Sequence, residues 1–183
     1  MLERGNEDFT LQEVSRLGDV SIGSIYLRFE SKENLVRAVI ARELEQIVAE
    51  EAEMVDLVSA KSSSLAEFLC NYIDAYAEYL KHRAPLIRLS MERATHDPLI
   101  AGPGKETAMR SAQFATQGML AYRNEFGGDD CELRARSAYA TVFAALGRHL
   151  SLGLVGDAAL PSDWEQIKHE LTRMCVAYLT YKG

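Results

Sequence analysis

Apolar side chains recur at intervals of three and four residues along most of this chain, and no stretch of useful length alternates strictly between apolar and polar positions. That periodicity is typical of amphipathic helices and predicts an all-α protein. The first helix is expected to begin near Leu11, because Thr10 and Glu13 match the hydroxyl and carboxylate of a capping box. Leu11, Val14 and Leu17 would form its apolar face.

A turn and a second short helix follow directly. Gly18 and Asp19 are expected to end the first helix, because both residue types accept positive φ angles more readily than most others. Val20 would anchor the turn in the core, Ser21 would cap the second helix and Ile25 would face inward. Helix, tight turn and helix make up a helix-turn-helix motif, whose second helix presents its N-terminal residues to DNA bases.

Residues around this second helix have the chemistry expected of DNA contacts. Gly23 and Ser24 are small enough to let the backbone approach DNA, and the Tyr26 hydroxyl can donate a hydrogen bond to a phosphate. Ser31 is expected to cap the third helix, where Lys32 would add its charge to backbone N–H groups facing a phosphate. The predicted DNA-binding residues are Thr10, Ser21, Ile22, Gly23, Ser24, Tyr26, Leu27, Arg28 and Lys32.

The stretch from Thr10 to Leu35 resembles the DNA-binding motif of the TetR family of bacterial one-component regulators, most specifically through the run Gly-Ser-Ile-Tyr-x-x-Phe-x-Ser-Lys-Glu-x-Leu. The remainder of the chain agrees with that family in length and helical character. The matching residues are Thr10, Val14, Val20, Ser21, Gly23, Ser24, Tyr26, Phe29, Lys32 and Leu35.

The sequence departs from the family's pattern at three places. Gly18-Asp19 stands where the family usually has Ala-Gly, and Ser15 stands where it has a small Ala. Only Met1 to Asp8 precede the motif, and Gly5 is placed like the residue that ends a first helix which is largely missing. The expectation is that the chain begins at an internal Met or that its DNA-binding domain is incomplete.

The remaining pattern predicts a larger helical region after the motif. Loops are expected at Asp97-Pro98 and Gly102-Pro103-Gly104, because Gly and Pro interrupt helices. The predicted helices run from Lys32 to about Val58, from Ser64 to about His82, from Pro85 to Ala94, from about Lys105 to Asn124, from Leu133 to Leu154 and from Pro161 to about Tyr181.

The resemblance implies a DNA-binding transcriptional regulator, a repressor that a small molecule releases from a palindromic double-stranded DNA operator. It also implies a homodimer, formed as a four-helix bundle by the last two helices. Residues 1–44 would be the helix-turn-helix domain and residues 45–183 the ligand-binding and dimerisation domain. The predicted dimer-interface residues are Ala140, Phe143, Ala144, Gly147, Leu171 and Tyr178.

Aromatic and methionine side chains in the middle helices suggest a cavity for an apolar or aromatic effector, since tyrosine combines an apolar ring with a hydroxyl and methionine adapts its shape. The alternative for each of these residues is ordinary core packing. The predicted ligand-binding residues are Phe68, Tyr72, Tyr76, Met91, Met109, Gln113, Phe114 and Gln117.

Charge and composition modify this picture. The formal net charge is −7, and residues 1–48 carry six basic and nine acidic side chains, a net charge of −3. A basic surface is the usual electrostatic signature of DNA binding, so the charge does not favour it. The alternative function is a dimeric small-molecule-binding or protein-interaction module with weakened or lost DNA binding.

Other chemistry is not indicated by the sequence. Cys70, Cys131 and Cys175 lie far apart without a CxxC motif, and the four histidines form no HExxH or HxH motif. We therefore expect reduced thiols in the cytoplasm and no metal or other cofactor. No nucleophile–base pair or phosphate-binding loop indicates an enzyme, and no membrane span or secretory signal is expected.

Overall fold

The computed structural model describes residues 8–152 and 163–182. Within these ranges the chain is all-helical, as the periodicity predicts, and it contains no strand. A short 3-10 helix, Arg123–Glu125, follows the fifth α-helix. The α-helices are α1 (Leu11–Leu17), α2 (Ile22–Phe29), α3 (Lys32–Ala60), α4 (Leu65–Ala94), α5 (Pro98–Leu120), α6 (Cys131–His149) and α7 (Trp164–Thr180).

Side-chain caps fix the starts of the first three helices. Thr10 accepts a hydrogen bond from the Glu13 backbone N–H, while the Glu13 carboxylate accepts one from the Thr10 backbone N–H at 2.7 Å, which completes the capping box. The Ser21 hydroxyl accepts from the Ser24 N–H at 3.0 Å. Ser31 does the same for α3. Each cap satisfies a backbone donor that would otherwise lack a partner within its helix.

Two predicted interruptions in the middle of the chain are wrong. Helix α4 continues through Pro85 from Leu65 to Ala94, because its flanking residues Ala84 and Leu86 are buried and tertiary packing outweighs the loss of one backbone donor. Helix α5 begins at Pro98, where a proline fits the first turn, and continues through Pro103. What the sequence pattern divides into three helices and a loop is therefore two long helices.

Among the described residues the apolar interior falls into three clusters, and α3 contributes to all of them. Leu35 packs with Leu11 and Ile25 in the first cluster. The second joins α3 to α4 and α5, and the largest includes Val55 and Val58 near the end of α3. We call residues 10–35 the helix-turn-helix unit and helices α3 to α7 the bundle. The predicted domain boundary after residue 44 falls inside α3 and stays a prediction.

Parts of some predictions lie outside the described residues. These are the N-terminal segment before Asp8, including Gly5, and the predicted limits at Leu154, Pro161 and Ser162. Helix α6 itself ends at His149, earlier than predicted. Among the described residues, no helix is both long and apolar enough to span a membrane.

Candidate DNA-binding surface and ligand cavity

The turn between α1 and α2 is held by Ser15, one of the departures from the TetR pattern. Its hydroxyl donates to the Val20 carbonyl at 2.6 Å, and its carbonyl accepts the Val20 N–H at 3.1 Å. Asp19 takes the positive φ of the turn, 49°, which is the conformation expected of it. Gly18 keeps a negative φ of −91°. Both substitutions in the motif are therefore compatible with a tight helix-turn-helix turn.

The N-terminal face of α2 is open to solvent. Ser21, Gly23 and Ser24 are exposed, as are Thr10 before α1 and Arg28 in the last turn. The large side chains on the same helix are also uncovered. Tyr26 is 50% exposed and Leu27 is 89% exposed. This surface combines hydroxyls, a guanidinium and an apolar side chain, which are the groups that contact phosphates and base edges in the major groove.

Two of the predicted DNA-binding residues have roles inside the protein as well. Ile22 is half-buried and packs against the first cluster. The Lys32 ammonium lies 4.4 Å from the centre of the Phe9 ring, which holds it beside the start of α3. The inward positions predicted for Leu17 and Val20 are wrong, since these residues are 75% and 46% exposed. Because α1 is only two turns long, its end projects past the small core.

Ion pairs connect the start of α3 to the bundle. Arg37 donates to the Asp97 carboxylate at 2.6 Å, and this hydrogen bond lowers the pKa of Asp97. The Arg93 guanidinium contacts Glu33 and lowers the pKa of that carboxyl in the same way. Glu43 pairs with Arg83 at 3.0 Å. Arginines of α4 thus pair with two of the acids of residues 1–48. Because Asp97 pairs with Arg37 and Glu50 shares Arg83, these contacts together leave the net charge of the region unchanged.

A cavity of about 370 Å³ lies between α3, α4, α5 and α6, within the size range of ligand pockets. Most of its lining is apolar, with hydroxyl and carboxyl groups from four helices. The exposed side chains Met91 and Lys105 are at its edge. Its lining residues are Leu44, Ile47, Glu51, Tyr76, Leu80, Ile87, Ser90, Met91, Ala94, Ala101, Gly104, Lys105, Thr107, Ala108, Ser111, Tyr139 and Phe143.

The predicted ligand-binding residues lie in three different places in the structure. Tyr76 and Met91 line the cavity. Met109, Gln113 and Gln117 line a separate groove of about 350 Å³ against Glu132 and Arg136 of α6.

The remaining three predicted ligand-binding residues belong to the core. Phe68 and Tyr72 are buried and stacked on each other with ring centres 5.7 Å apart, and neither lines the cavity or the α5–α6 groove. Phe114 is half-buried and packs against the largest apolar cluster, and it lines neither the cavity nor the groove between α5 and α6. For these three residues the structure fits the alternative of ordinary core packing, and their predicted ligand contacts stay predictions.

Sequence reasoning missed the buried acidic group in the cavity, the carboxyl of Glu51. Glu51 is 4% exposed and occupies a position in the apolar stripe of α3 that includes Leu44, Ile47, Val55 and Val58. A carboxylate spaced among apolar residues at helical intervals was the signal available in the sequence. Charged side chains are almost never fully buried unless they are paired, so this position calls for an explanation.

Burial raises the pKa of Glu51 to about 7, against the opposing effect of a hydrogen bond from Ser111. The Ser111 hydroxyl lies within hydrogen-bond distance of both the Glu51 carboxyl and the Thr107 carbonyl, 3.0 Å away. A hydroxyl has one proton to donate. When Glu51 is ionised Ser111 can donate to it, and when Glu51 is protonated it can donate to Ser111, which then donates to Thr107. Both charge states of Glu51 are thereby accommodated near neutral pH.

The last two helices present an outward surface with exposed apolar residues. Ala140 and Ala144 are exposed on α6, Phe143 is half-buried, and Tyr178 of α7 is 44% exposed. Further exposed apolar residues on the two helices are Leu133 and Met174.

Gly147 and Leu171 differ from the other predicted interface residues. Both are buried within their own chain, where Leu171 belongs to the largest cluster, and their interface roles stay predictions. Small residues lie on both the inward and the outward face of α6, and the sequence alone does not show which residue lies on which face.

Other reactive groups are dispersed. Cys70, Cys131 and Cys175 are free thiols, and burial raises the pKa of Cys175 to about 11. Within residues 8–152 and 163–182, no group of three or more His, Cys, Asp or Glu side chains is placed to hold a metal ion.

Comparison with known proteins supports the DNA-binding motif and the fold. Residues 1–39 match the model for bacterial regulatory proteins of the tetR family. A Mesorhizobium loti protein assigned to the TetR family of transcriptional regulators has a similar structure, with a TM-score of 0.75 and 16% identity over 97% of this chain and 88% of that chain. None of the curated proteins matches the sequence.

Two further solved structures have the same fold. One is a Rhodococcus protein assigned to the same family, with a TM-score of 0.61 and 14% identity, covering 93% of this chain and 87% of that chain. The other is PfmR, a TetR family transcriptional regulator from Thermus thermophilus, with a TM-score of 0.59 and 16% identity over 99% and 93% of the two chains. The match over residues 1–39 agrees with the resemblance seen in the helix-turn-helix motif, and the fold of the chain is similar to that of these three solved structures.

Proposed function

We propose that this protein is a ligand-responsive transcriptional repressor, which binds a palindromic operator as a homodimer and is released from it by a small molecule held in the cavity. The observation that carries the proposal is the continuity of α3. One helix, Lys32–Ala60, packs Leu35 into the core of the helix-turn-helix unit and places Leu44, Ile47 and Glu51 on the cavity wall. A ligand that moves α3 therefore moves the DNA-binding surface.

The response requires a difference in affinity between two arrangements of the dimer. A ligand that binds both arrangements equally shifts nothing, whereas one that prefers the arrangement with misplaced α2 helices weakens operator binding. A coupling free energy of typical size, about 1–3 kcal/mol, corresponds to a 5–150-fold loss of operator affinity. The ion pairs between α3 and α4, Arg83 with Glu43 and Arg93 with Glu33, are contacts that such a shift would rearrange.

The proposed dimer forms through the outward face of α6 and α7. An exposed apolar surface on two adjacent helices fits a four-helix bundle with two-fold symmetry, which would present two copies of α2 to two half-sites. Successive half-sites on one side of the DNA lie about 34–36 Å apart, or a multiple of that distance. Ala144→Arg would place a charge in this closely packed surface and is expected to yield monomer or aggregate in light scattering.

The experiment that tests the function is selection of genomic fragments by the purified full chain, with and without added metabolite fractions. The expected result is a palindromic site whose binding is lost with at least one fraction. Tyr26→Phe and Lys32→Ala should weaken binding to all sequences alike, since phosphate contacts carry no sequence information. Substitutions at Ile22, Ser24 or Arg28 should change the sequence preference. Selection of no sequence above random fragments contradicts the proposal.

The second candidate, a dimeric small-molecule-binding or protein-interaction module with weakened or lost DNA binding, is favoured by the negative charge of residues 1–48. A chain that dimerises and binds a ligand but selects no DNA would establish it. In either case the proposed location is the cytoplasm, and no enzymatic activity is proposed. The TetR-family fold of the chain fits both of these expectations.

A further inference from the structure

We infer that the cavity takes a small apolar cation, such as a hydrophobic or quaternary amine, whose positive charge pairs with the Glu51 carboxylate. The ligand class is that of the cavity in the proposed function. Only the regulatory meaning of the binding rests on that function. Its basis is a carboxyl group buried among apolar and aromatic side chains, facing a space large enough for a ligand.

Glu51 has no cationic partner among the residues that the structure describes. The acidic residue next to it in sequence, Glu50, pairs with Arg83, but none of the ion pairs among the described residues includes Glu51. Its hydrogen bond comes from the neutral hydroxyl of Ser111. An ionised carboxylate removed from water and left unpaired is unfavourable, so an incoming cation would gain from an interaction the protein does not make itself.

A second polar group in the cavity, the Ser90 hydroxyl, lacks a hydrogen bond among the described residues. Ser90 lines the same space from α4, and the residue is 6% exposed. Its hydroxyl oxygen is buried and has no hydrogen-bond partner in the described structure. Buried hydroxyls are nearly always hydrogen-bonded in native proteins. A ligand with its own polar atom would satisfy Ser90 as well as Glu51.

The aromatic rings of the cavity fit a cation better than an anion. Tyr76 and Tyr139 lie with ring centres 6.0 Å apart, and Phe143 stacks on Tyr139 at 6.3 Å. Ring faces attract cations through their quadrupole, and quaternary ammonium groups are bound by clusters of such rings. The two tyrosine hydroxyls interact with each other at 3.1 Å, so their hydrogen-bonding capacity is partly used.

Other titratable groups near Glu51 do not supply the missing charge. Glu50 on α3 further disfavours ionisation of Glu51. The tyrosines that face it do not ionise near neutral pH, since burial raises their pKa values. Lys105 of α5 also lines the cavity, but its side chain is exposed at the edge. The titratable side chains around Glu51 are Glu50, Tyr72, Tyr76, Tyr79, Lys105 and Tyr139.

The test uses the purified full chain and three probes in titration calorimetry. Benzyltrimethylammonium keeps its charge at every pH, neopentylbenzene is its neutral isostere, and phenylacetate is an anion of similar size. We expect the cation to bind at least tenfold more tightly than the isostere at pH 8. Because Glu51 titrates near pH 7, cation binding should tighten about tenfold between pH 6 and pH 8, with release of a proton. Binding of the isostere should not change with pH.

Two variants separate this site from its alternatives. Glu51→Gln keeps the shape of the side chain and should remove both the preference for the cation and its pH dependence. Lys105→Met removes the one ammonium group of the lining and should leave cation binding equal or tighter. Tighter binding of phenylacetate, lost in Lys105→Met, would overturn the inference in favour of an anion site.

Further outcomes are equally decisive. Equal binding of cation and isostere, or unchanged cation binding in Glu51→Gln, overturns the inference, as does the absence of binding by all three probes. Failure of the proposed function is distinguishable, because these measurements contain no DNA. Cation binding that depends on Glu51 but leaves operator affinity unchanged supports the cation site and contradicts ligand-controlled release instead.

Discussion

The helix-turn-helix unit centres on a cluster of three buried apolar side chains, Leu11, Ile25 and Leu35, whereas the largest cluster of the bundle contains twenty among the described residues. The small unit compensates with side-chain caps, with the Ser15 hydrogen bonds across its turn, and with the ion pair between Glu33, at the start of α3, and Arg93 of α4. The bundle has enough apolar contact to retain a cavity and a buried carboxyl group. Small cores are sensitive to single changes, and large ones can accommodate unfavourable groups at functional positions.

The largest expected effect is on the bundle core. Phe68 is fully buried and lies between Tyr72, 5.7 Å away, and Tyr122, 5.5 Å away, measured between ring centres. Phe68→Ala removes these contacts and leaves a cavity, so the free energy of unfolding should fall by about 3–5 kcal/mol. Urea denaturation followed by circular dichroism measures this change.

The control for this variant is Leu57→Ala, also in the bundle but 54% exposed, which should change the free energy of unfolding by less than about 0.5 kcal/mol. Equal effects of the two substitutions would show that the Phe68 cluster does not determine the stability of the bundle.

The second prediction concerns the small core. Ile25 is 5% exposed and is one of the three buried residues of its cluster. Ile25→Ala should cost about 2–5 kcal/mol locally, which exceeds what so small a core can lose while staying folded. Hydrogen exchange should show fast exchange in α1 and α2 with protection kept in α4 and α7, together with loss of operator binding.

Leu27→Ala is the matched control on the same helix, because Leu27 is 89% exposed. Its amide protection should equal that of the wild type, and only its DNA affinity should decrease. If Ile25→Ala lowers protection uniformly through the bundle, the two regions unfold as one and the distinction between them fails.

The third prediction uses the opposite behaviour of adjacent carboxyls in the bundle. Burial raises the pKa of Glu51 from its ordinary value of 4.5 to about 7, so the folded state favours the protonated form. The stabilisation is complete below pH 4.5 and is lost as pH rises through 7. The shift in the pKa of Glu51 corresponds to a stabilisation of at most about 3 kcal/mol. Glu51→Gln should therefore match the wild type near pH 4.5 and be more stable at pH 8.

Glu50→Gln provides the contrast. Burial raises the pKa of Glu50, but hydrogen bonds from Arg83, Gln46 and Tyr79 outweigh it and lower the pKa overall. Stability from Glu50 is present above its ordinary pKa and is lost as pH falls, so Glu50→Gln should destabilise the protein at pH 8. Chemical denaturation at the two pH values measures both variants, and the same sign for both at pH 8 would refute the burial argument for Glu51.

The two regions also differ in how far sequence alone predicted them. In the helix-turn-helix unit, the caps and turn act between neighbours in sequence, so the starts of α1, α2 and α3 were predicted correctly. In the bundle, Pro85 and Pro103 lie inside helices because of packing between distant segments. The cavity could not be predicted in detail either. Tyr72 and Tyr76 are four residues apart on one helix, yet only Tyr76 lines it.

The smallest expected change in stability has the clearest functional consequence. A Cβ added at Gly23 would meet only the Ser21 hydroxyl oxygen, at 3.8 Å, so the structure has room for alanine. Alanine is favoured over glycine within helices by up to about 1 kcal/mol, and Gly23→Ala should therefore stabilise the helix-turn-helix unit slightly. If the backbone at Gly23 approaches DNA closely, the same methyl group should weaken operator binding.

Gly102→Ala in α5 is the matched control for this last prediction, because an added Cβ there meets nothing within 4 Å. Both variants should raise thermal stability to a similar small extent, since both replace a helical glycine that has space around it. Operator binding, measured by fluorescence anisotropy, should be weaker in Gly23→Ala and unchanged in Gly102→Ala. Stabilisation without any loss of affinity in Gly23→Ala would mean that the start of α2 does not lie against the DNA, and the exposed Leu27 and Arg28 farther along the helix would then make the closest contacts.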